Sequence, residues 1–141
     1  MKQYQDIAVL FLRLSLAAGF LSAVVSRLNL WGANSSGWVN FVTYTAEVNS
    51  FAPKSLIPAL AITSTLLETT LGILLLAGFK TSHAAFAAGL LTLLFALAMA
   101  YSFGIKEPLD YSVFSFSAAA FLLAGMQHYI LSIDNFLITK F

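Results

Sequence analysis

The sequence predicts an all-α fold, a four-helix antiparallel transmembrane bundle with a short interfacial helix between its first two helices. Three observations predict it. Of 141 residues, 60% are apolar and only 9% charged, against about 25% charged in soluble domains. The mean hydropathy is +0.87, and a surface with so few charges suits lipid better than water. Finally, the apolar residues gather into four runs of about 21 to 24 residues, each enough to cross a hydrocarbon core of roughly 30 Å at 1.5 Å per residue. None alternates as a barrel strand would, and a backbone in lipid must satisfy its own amides, so each run is read as a helix.

The first helix is expected over about 7–28, interrupted by Arg13 and Arg27. Arg13 falls where the apolar stretch of a signal peptide would lie and no small-residue cleavage site follows, so the segment is read as part of the mature chain. Residues 29–55 are too long for a passive loop in so small a protein. Within them Trp38, Phe41, Val42, Thr45 and Val48 recur at spacings of three and four, with Ser35 and Ser36 offering caps. This predicts an interfacial helix, with Trp31, Trp38 and Tyr44 in the headgroup belt.

The second helix, about 56–79, carries Glu68 as its one charged residue, and a tight link through Lys80 leads to the third, about 83–103. A second short link closed by Pro108 leads to the fourth, about 111–133. The whole chain, 1–141, reads as a single membrane domain. Lys2, Lys80 and Lys140 collect on one side and Arg27, Lys54 and Lys106 on the other, which leaves the positive-inside rule nearly tied. Arg13 and the amino terminus tip it toward cytoplasmic termini and an outward long loop, in a bacterial inner membrane.

Composition excludes several functions. A net charge of +1 without a basic run leaves nothing to follow a phosphate backbone, so no nucleic acid is expected. With no cysteine there is no disulfide or thiolate chemistry. His83 and His128 lack a neighbouring carboxylate and read as packing residues, so no metal is expected. No catalytic motif is present. Ala84, Ala88, Ser115, Ala118, Ala119 and Gly125 are spaced for close helix packing.

Arg13 and Glu68 need a reason to lie in a membrane, since each costs roughly 2.5–3.5 kcal/mol at mid-depth. Measured from the shared edge of antiparallel helices, Arg13 lies roughly 9 Å deep and Glu68 roughly 16 Å, within an arginine's reach. Ser64, Thr65, Glu68 and Gly72 share one face of the second helix. Two readings stay open: an ion pair that fixes how the first two helices meet, or a ligand site formed by Arg13, Thr65, Glu68 and Gly72. Arg27, Asp110 and Tyr111 are the candidates for an outer polar mouth, while Asp110 also suits a helix N-terminus.

Leu12-Arg13-Leu14 followed by Gly19 and Arg27, together with Glu68-x-x-x-Gly72-x-x-Leu75-x-x-Gly78, resembles the DoxX family of small four-helix membrane proteins. The resemblance spans nearly the whole chain, and Pro108-Leu109-Asp110-Tyr111-Ser112 resembles one branch of the family. It implies cytoplasmic termini and a role as a non-catalytic accessory or anchoring subunit of a quinone-linked membrane redox complex, with quinone as the ligand and a redox enzyme as the partner. The alternatives are a small-solute or proton carrier, which would self-associate, and a purely structural or assembly protein. In either case the lipid bilayer is the surrounding partner.

Overall fold

The chain is described here by a computed structural model covering residues 2–140. It is helical throughout, in the order α1 (Lys2–Arg27), α2 (Trp38–Val48), α3 (Ile57–Ala77), α4 (Thr81–Phe103), α5 (Lys106–Asp110), α6 (Val113–Ala124) and α7 (Ile133–Lys140). Short 3-10 turns at Gly32–Asn34 and Lys54–Leu56 lead into α2 and α3. Three helices are long and apolar enough to cross a membrane, over Gln3–Arg27, Lys54–Ala77 and Thr81–Phe103. The amino terminus and the side chains of Lys2 and Lys140, which enter the charge comparison, lie outside the described residues.

α1 packs on α3, α3 on α4, α4 on α6 and α6 back on α1, closing a ring around Leu16, Phe20, Leu71, Leu75, Ala88 and Leu123. Two glycines set how closely these helices approach. A Cβ at Gly72 would meet the Leu21 side chain at 2.9 Å, and one at Gly89 would meet the Phe121 ring at 2.8 Å. The α4–α6 seam is also tied by Ser117 Oγ, which donates to Gly89 O at 2.8 Å. Ala84 and Ala88 are buried as their spacing suggested, but on α6 the inward small residues are Ser117 and Ala120, while Ser115 and Ala118 face outward.

α2 falls in the segment where a short helix was expected between the first two long ones. Thr45 and Val48 are buried and Trp38, Phe41 and Val42 half-buried, so the predicted face turns inward and packs on α3 and α4. Its start is set by Gly37, at φ 76°, and not by a serine cap. Ser36 instead gives its amide to Ser26 Oγ at 2.9 Å, tying the loop to the end of α1.

The fourth apolar run departs from the expected helix over 111–133. Ser112, at φ 56°, separates α5 from α6, and α6 ends at Ala124 after 12 residues, about 18 Å. The stop is held by side chains from outside the helix. Ser82 Oγ donates to Ala124 O at 2.7 Å and Tyr129 Oη to Leu123 O at 3.0 Å, so side chains take carbonyls that another helical turn would have used. The chain then turns back over the α3–α4 junction, where Asp134 N donates to Gly78 O at 2.9 Å.

Candidate functional site

A cavity of about 420 Å³ lies between α2, α3 and α4. Its walls are mostly apolar, with Leu67 from α3, Leu91 and Phe95 from α4 and Phe41 from α2. Tyr44 of α2, Asn49 just beyond its end and Ser64 of α3 add polar groups, and Arg27 and Glu68 form its polar end. A few convergent polar groups in an apolar pocket of this size are the usual composition of a small-molecule site.

Arg27 and Glu68 meet as a close ion pair. Arg27 Nη2 donates to both Glu68 carboxylate oxygens, at 3.0 and 2.9 Å, and Nη1 donates to Thr65 Oγ1 at 3.2 Å. The side chains are 12% and 3% exposed. The guanidinium carbon also lies 3.8 Å from the centre of the Phe41 ring, a cation–π contact that draws α2 onto the pair. Thr65 in turn donates to Ala61 O at 2.8 Å, which fixes its hydroxyl as an acceptor for Arg27. Arg27 ends α1, and the Cα–Cβ bonds of a helix tilt toward its N-terminus. The long side chain therefore leans back along α1 and arrives beside Glu68.

The expected contact between Arg13 and Glu68 is not made. With Gly72 beside Phe20 and Leu21, and Gly78 beside Arg13, the register places Arg13 at the C-terminal end of α3, about 15 Å along the helix from Glu68. The expectation had aligned the ends of the two apolar runs, but the first turns of α1 extend past the end of α3 to meet the C-terminal segment, where Asp6 contacts His128 at 3.3 Å. Arg13 is 1% exposed and donates to carbonyls: Nη1 to Leu75 O and Leu76 O at 3.2 and 3.3 Å, Nη2 to Leu131 O and Ile130 O at 2.7 and 3.4 Å. It thus caps the negative end of α3 and fastens residues 130–131 to it.

Asp134 completes this second cluster. Its carboxylate accepts from Lys80 N and Thr81 N, both at 2.7 Å, at the start of α4. Partial burial works against its charge, but the Thr81 and Lys80 amides and the nearby Arg13 guanidinium outweigh it and hold the carboxyl below its ordinary range.

Of the residues named for a ligand site, Glu68 lines the cavity and Thr65 supports its polar end, while Arg13 lies elsewhere and Gly72 faces α1 at Leu21. The outer mouth does not form. Asp110 pairs with Lys106 one turn away on α5, Tyr111 is 68% exposed, and Arg27 is engaged by Glu68 and Thr65 instead. Arg27 therefore belongs to the interior pair. Compared with family models, curated proteins and solved structures, the chain matches none.

The polar end of the cavity is electrically balanced and well hydrogen-bonded. Each Glu68 oxygen keeps a lone pair free to accept from a hydroxyl. Tyr44 supplies a donor: burial, reinforced by Glu107, Tyr111 and Glu47, raises its phenol above the ordinary value, so it stays protonated at neutral pH. Sequence reasoning had placed Tyr44 in the headgroup belt and Arg27 at the mouth. The missed signal lies in the spacing of Arg13 and Arg27, fourteen residues or nearly four helical turns, which puts both on the α1 face that meets α3.

Proposed function

We propose that the chain is a four-helix transmembrane protein that holds a quinone headgroup between α2, α3 and α4, and that it serves as an accessory or anchoring subunit of a quinone-linked membrane redox complex. The observation that carries the binding is the cavity itself, ligand-sized and apolar, with the Arg27–Glu68 pair and Tyr44 at hand for the oxygens of a ring. The redox setting rests on the resemblance to the DoxX family. The fourth crossing is assigned to α5 and α6 together, which run beside α4 from the Phe103 end back to Ser82. Cytoplasmic termini in a bacterial inner membrane follow from the same resemblance and from the position of Arg13.

A carrier of small solutes would gain support from a broken fourth helix, since interrupted helices often line transport sites. Here the break at Tyr111 and Ser112 is exposed and contributes nothing to the cavity. The binding reading is tested in lipid nanodiscs with a decyl-substituted benzoquinone. Glu68→Gln should weaken binding by about tenfold, or 1.4 kcal/mol, while circular dichroism stays unchanged. If the folded variant binds as tightly as the parent, the carboxylate only holds the helices together. The accessory role predicts that a redox enzyme copurifies from mild detergent.

A further inference from the structure

We infer that the cavity is filled sideways from the bilayer, through the gap between α3 and α4, by an amphiphile with an uncharged hydrogen-bonding head and a long apolar tail. This rests on the cavity being a binding site and adds the class of its occupant and its route.

The route follows from what closes the cavity and what does not. Toward the loop side, α2 is a fixed roof. Ser102 Oγ donates to Val48 O at 2.6 Å, Ser50 Oγ and Ser102 Oγ lie 2.8 Å apart, and the Tyr44 ring stacks on Phe103 with centroids 6.2 Å apart. Val48 is buried beneath this join. Between α3 and α4 the packing is thinner than in the α1–α3 and α4–α6 seams. Leu67 and Leu94 both line the cavity and stand 44% and 64% exposed on the outer face of the bundle. Side chains that border interior and lipid at once form the rim of an opening.

The class follows from charge and volume. The Arg27 guanidinium is engaged by Glu68, Thr65 and Phe41, so an anionic head would meet the Glu68 carboxylate without a free cation to pair with. A cationic head meets the reverse obstacle. An uncharged head needs only a hydrogen bond and avoids the cost of stripping water from an ion. A volume of about 420 Å³ is near the low end for ligand pockets and accommodates a substituted ring. A long chain attached to that ring leaves past Leu67 and Leu94 and lies among lipid tails.

The test uses the full chain in nanodiscs and three probes: a benzoquinone with a decyl chain, the same ring with a methyl group, and dodecanoate. Affinities are referred to probe concentration within the lipid, so that partitioning alone gives no difference. The parent should bind both quinones and should not bind dodecanoate. Leu94→Trp, which obstructs the rim without touching Arg27 or Glu68, should weaken the decyl probe by about tenfold and the methyl probe by less than about threefold. Leu67→Trp obstructs the opposite side of the rim and should do the same.

Equal losses for both quinones in a folded rim variant overturn the lateral route, as does decyl binding that no rim variant changes. Competition by dodecanoate overturns the uncharged head. Silence of the parent toward both quinones overturns the binding reading itself and this inference with it, an outcome distinct from any defect of a rim variant. Circular dichroism identifies a variant that fails to fold, and the tryptophan on the other side of the rim then decides.

Discussion

Arg13 and Arg27 sit on one helix and one face, yet they do different work because of what each finds alongside. Arg27 finds a carboxylate and Arg13 finds the carbonyls at a helix end. Removing one partner of a buried pair leaves the other charge uncompensated, at a cost of about 3–5 kcal/mol. A double-mutant cycle on Arg27→Met and Glu68→Gln, followed by unfolding in detergent, should therefore be strongly non-additive. The cycle pairing Arg13→Met with Glu68→Gln should be additive within about 0.5 kcal/mol. The reverse pattern would restore the contact first expected between Arg13 and Glu68. That Glu68 needs either a partner charge or a ligand was legible in the sequence, because a lone charge in such an apolar run has few alternatives. Which arginine pairs with it was not, because the choice depends on the register of α1 against α3, and register is set by close packing at Gly72 and by how far α1 overshoots α3.

At the scale of elements, the boundaries that sequence placed well are those with a local chemical cause. Gly78, at φ 67°, closes α3 in a Schellman motif, with Phe79 N donating to Leu74 O and Gly78 N to Leu75 O. The end of the fourth run was hidden because its cause lies outside the helix: Ser82 of α4 and Tyr129 take the carbonyls at the end of α6. Asp134, likewise, acts on a helix start more than fifty residues away in sequence, which no local capping pattern discloses. Asp134→Ala should cost about 0.5–2 kcal/mol, the usual range for a lost N-terminal cap, read as a shift of the unfolding midpoint at pH 7. Because folding lowers the pKa of this carboxyl, its contribution is present above about pH 4 and lost as pH falls through the lower folded-state value. The gap between parent and variant should therefore narrow in acid; a gap independent of pH would show that the carboxylate is not charged in the folded chain. At the α1–α3 seam, Gly72→Ala must displace Leu21, and overpacking of this kind costs about 1–3 kcal/mol in the same assay. A neutral outcome there would mean that the two helices separate freely.

For the molecule as a whole, composition was enough to read a helical chain with segments apolar enough to cross a membrane, and the inward face of α2 was readable from its spacing. The cavity was not, because it arises where α2, α3 and α4 meet, and no one segment carries its outline. The lack of native cysteine makes topology straightforward to test. Single cysteines at exposed Ser36 and Lys80 should react with impermeant reagents from opposite sides of a sealed membrane. Reaction of both from one side would refute a crossing by α3.

The clasp of residues 130–134 over the α3–α4 junction also bears on the order in which the protein is built. Until Ile130, Leu131 and Asp134 have been synthesised, Arg13 has only the α3 carbonyls to bond and the first amides of α4 lack their carboxylate. A nascent chain that has reached only Ala124 already contains every apolar run in its shortened form, yet carries a buried cation half served. A segment made later is therefore the one that completes the cap of a helix made before it. Quality control that removes unfinished membrane proteins would find in Arg13 a marker of incompletion, and a stop codon soon after Ala124 should yield a chain that inserts but is degraded faster than one that includes residues 130–134 in a pulse-chase experiment.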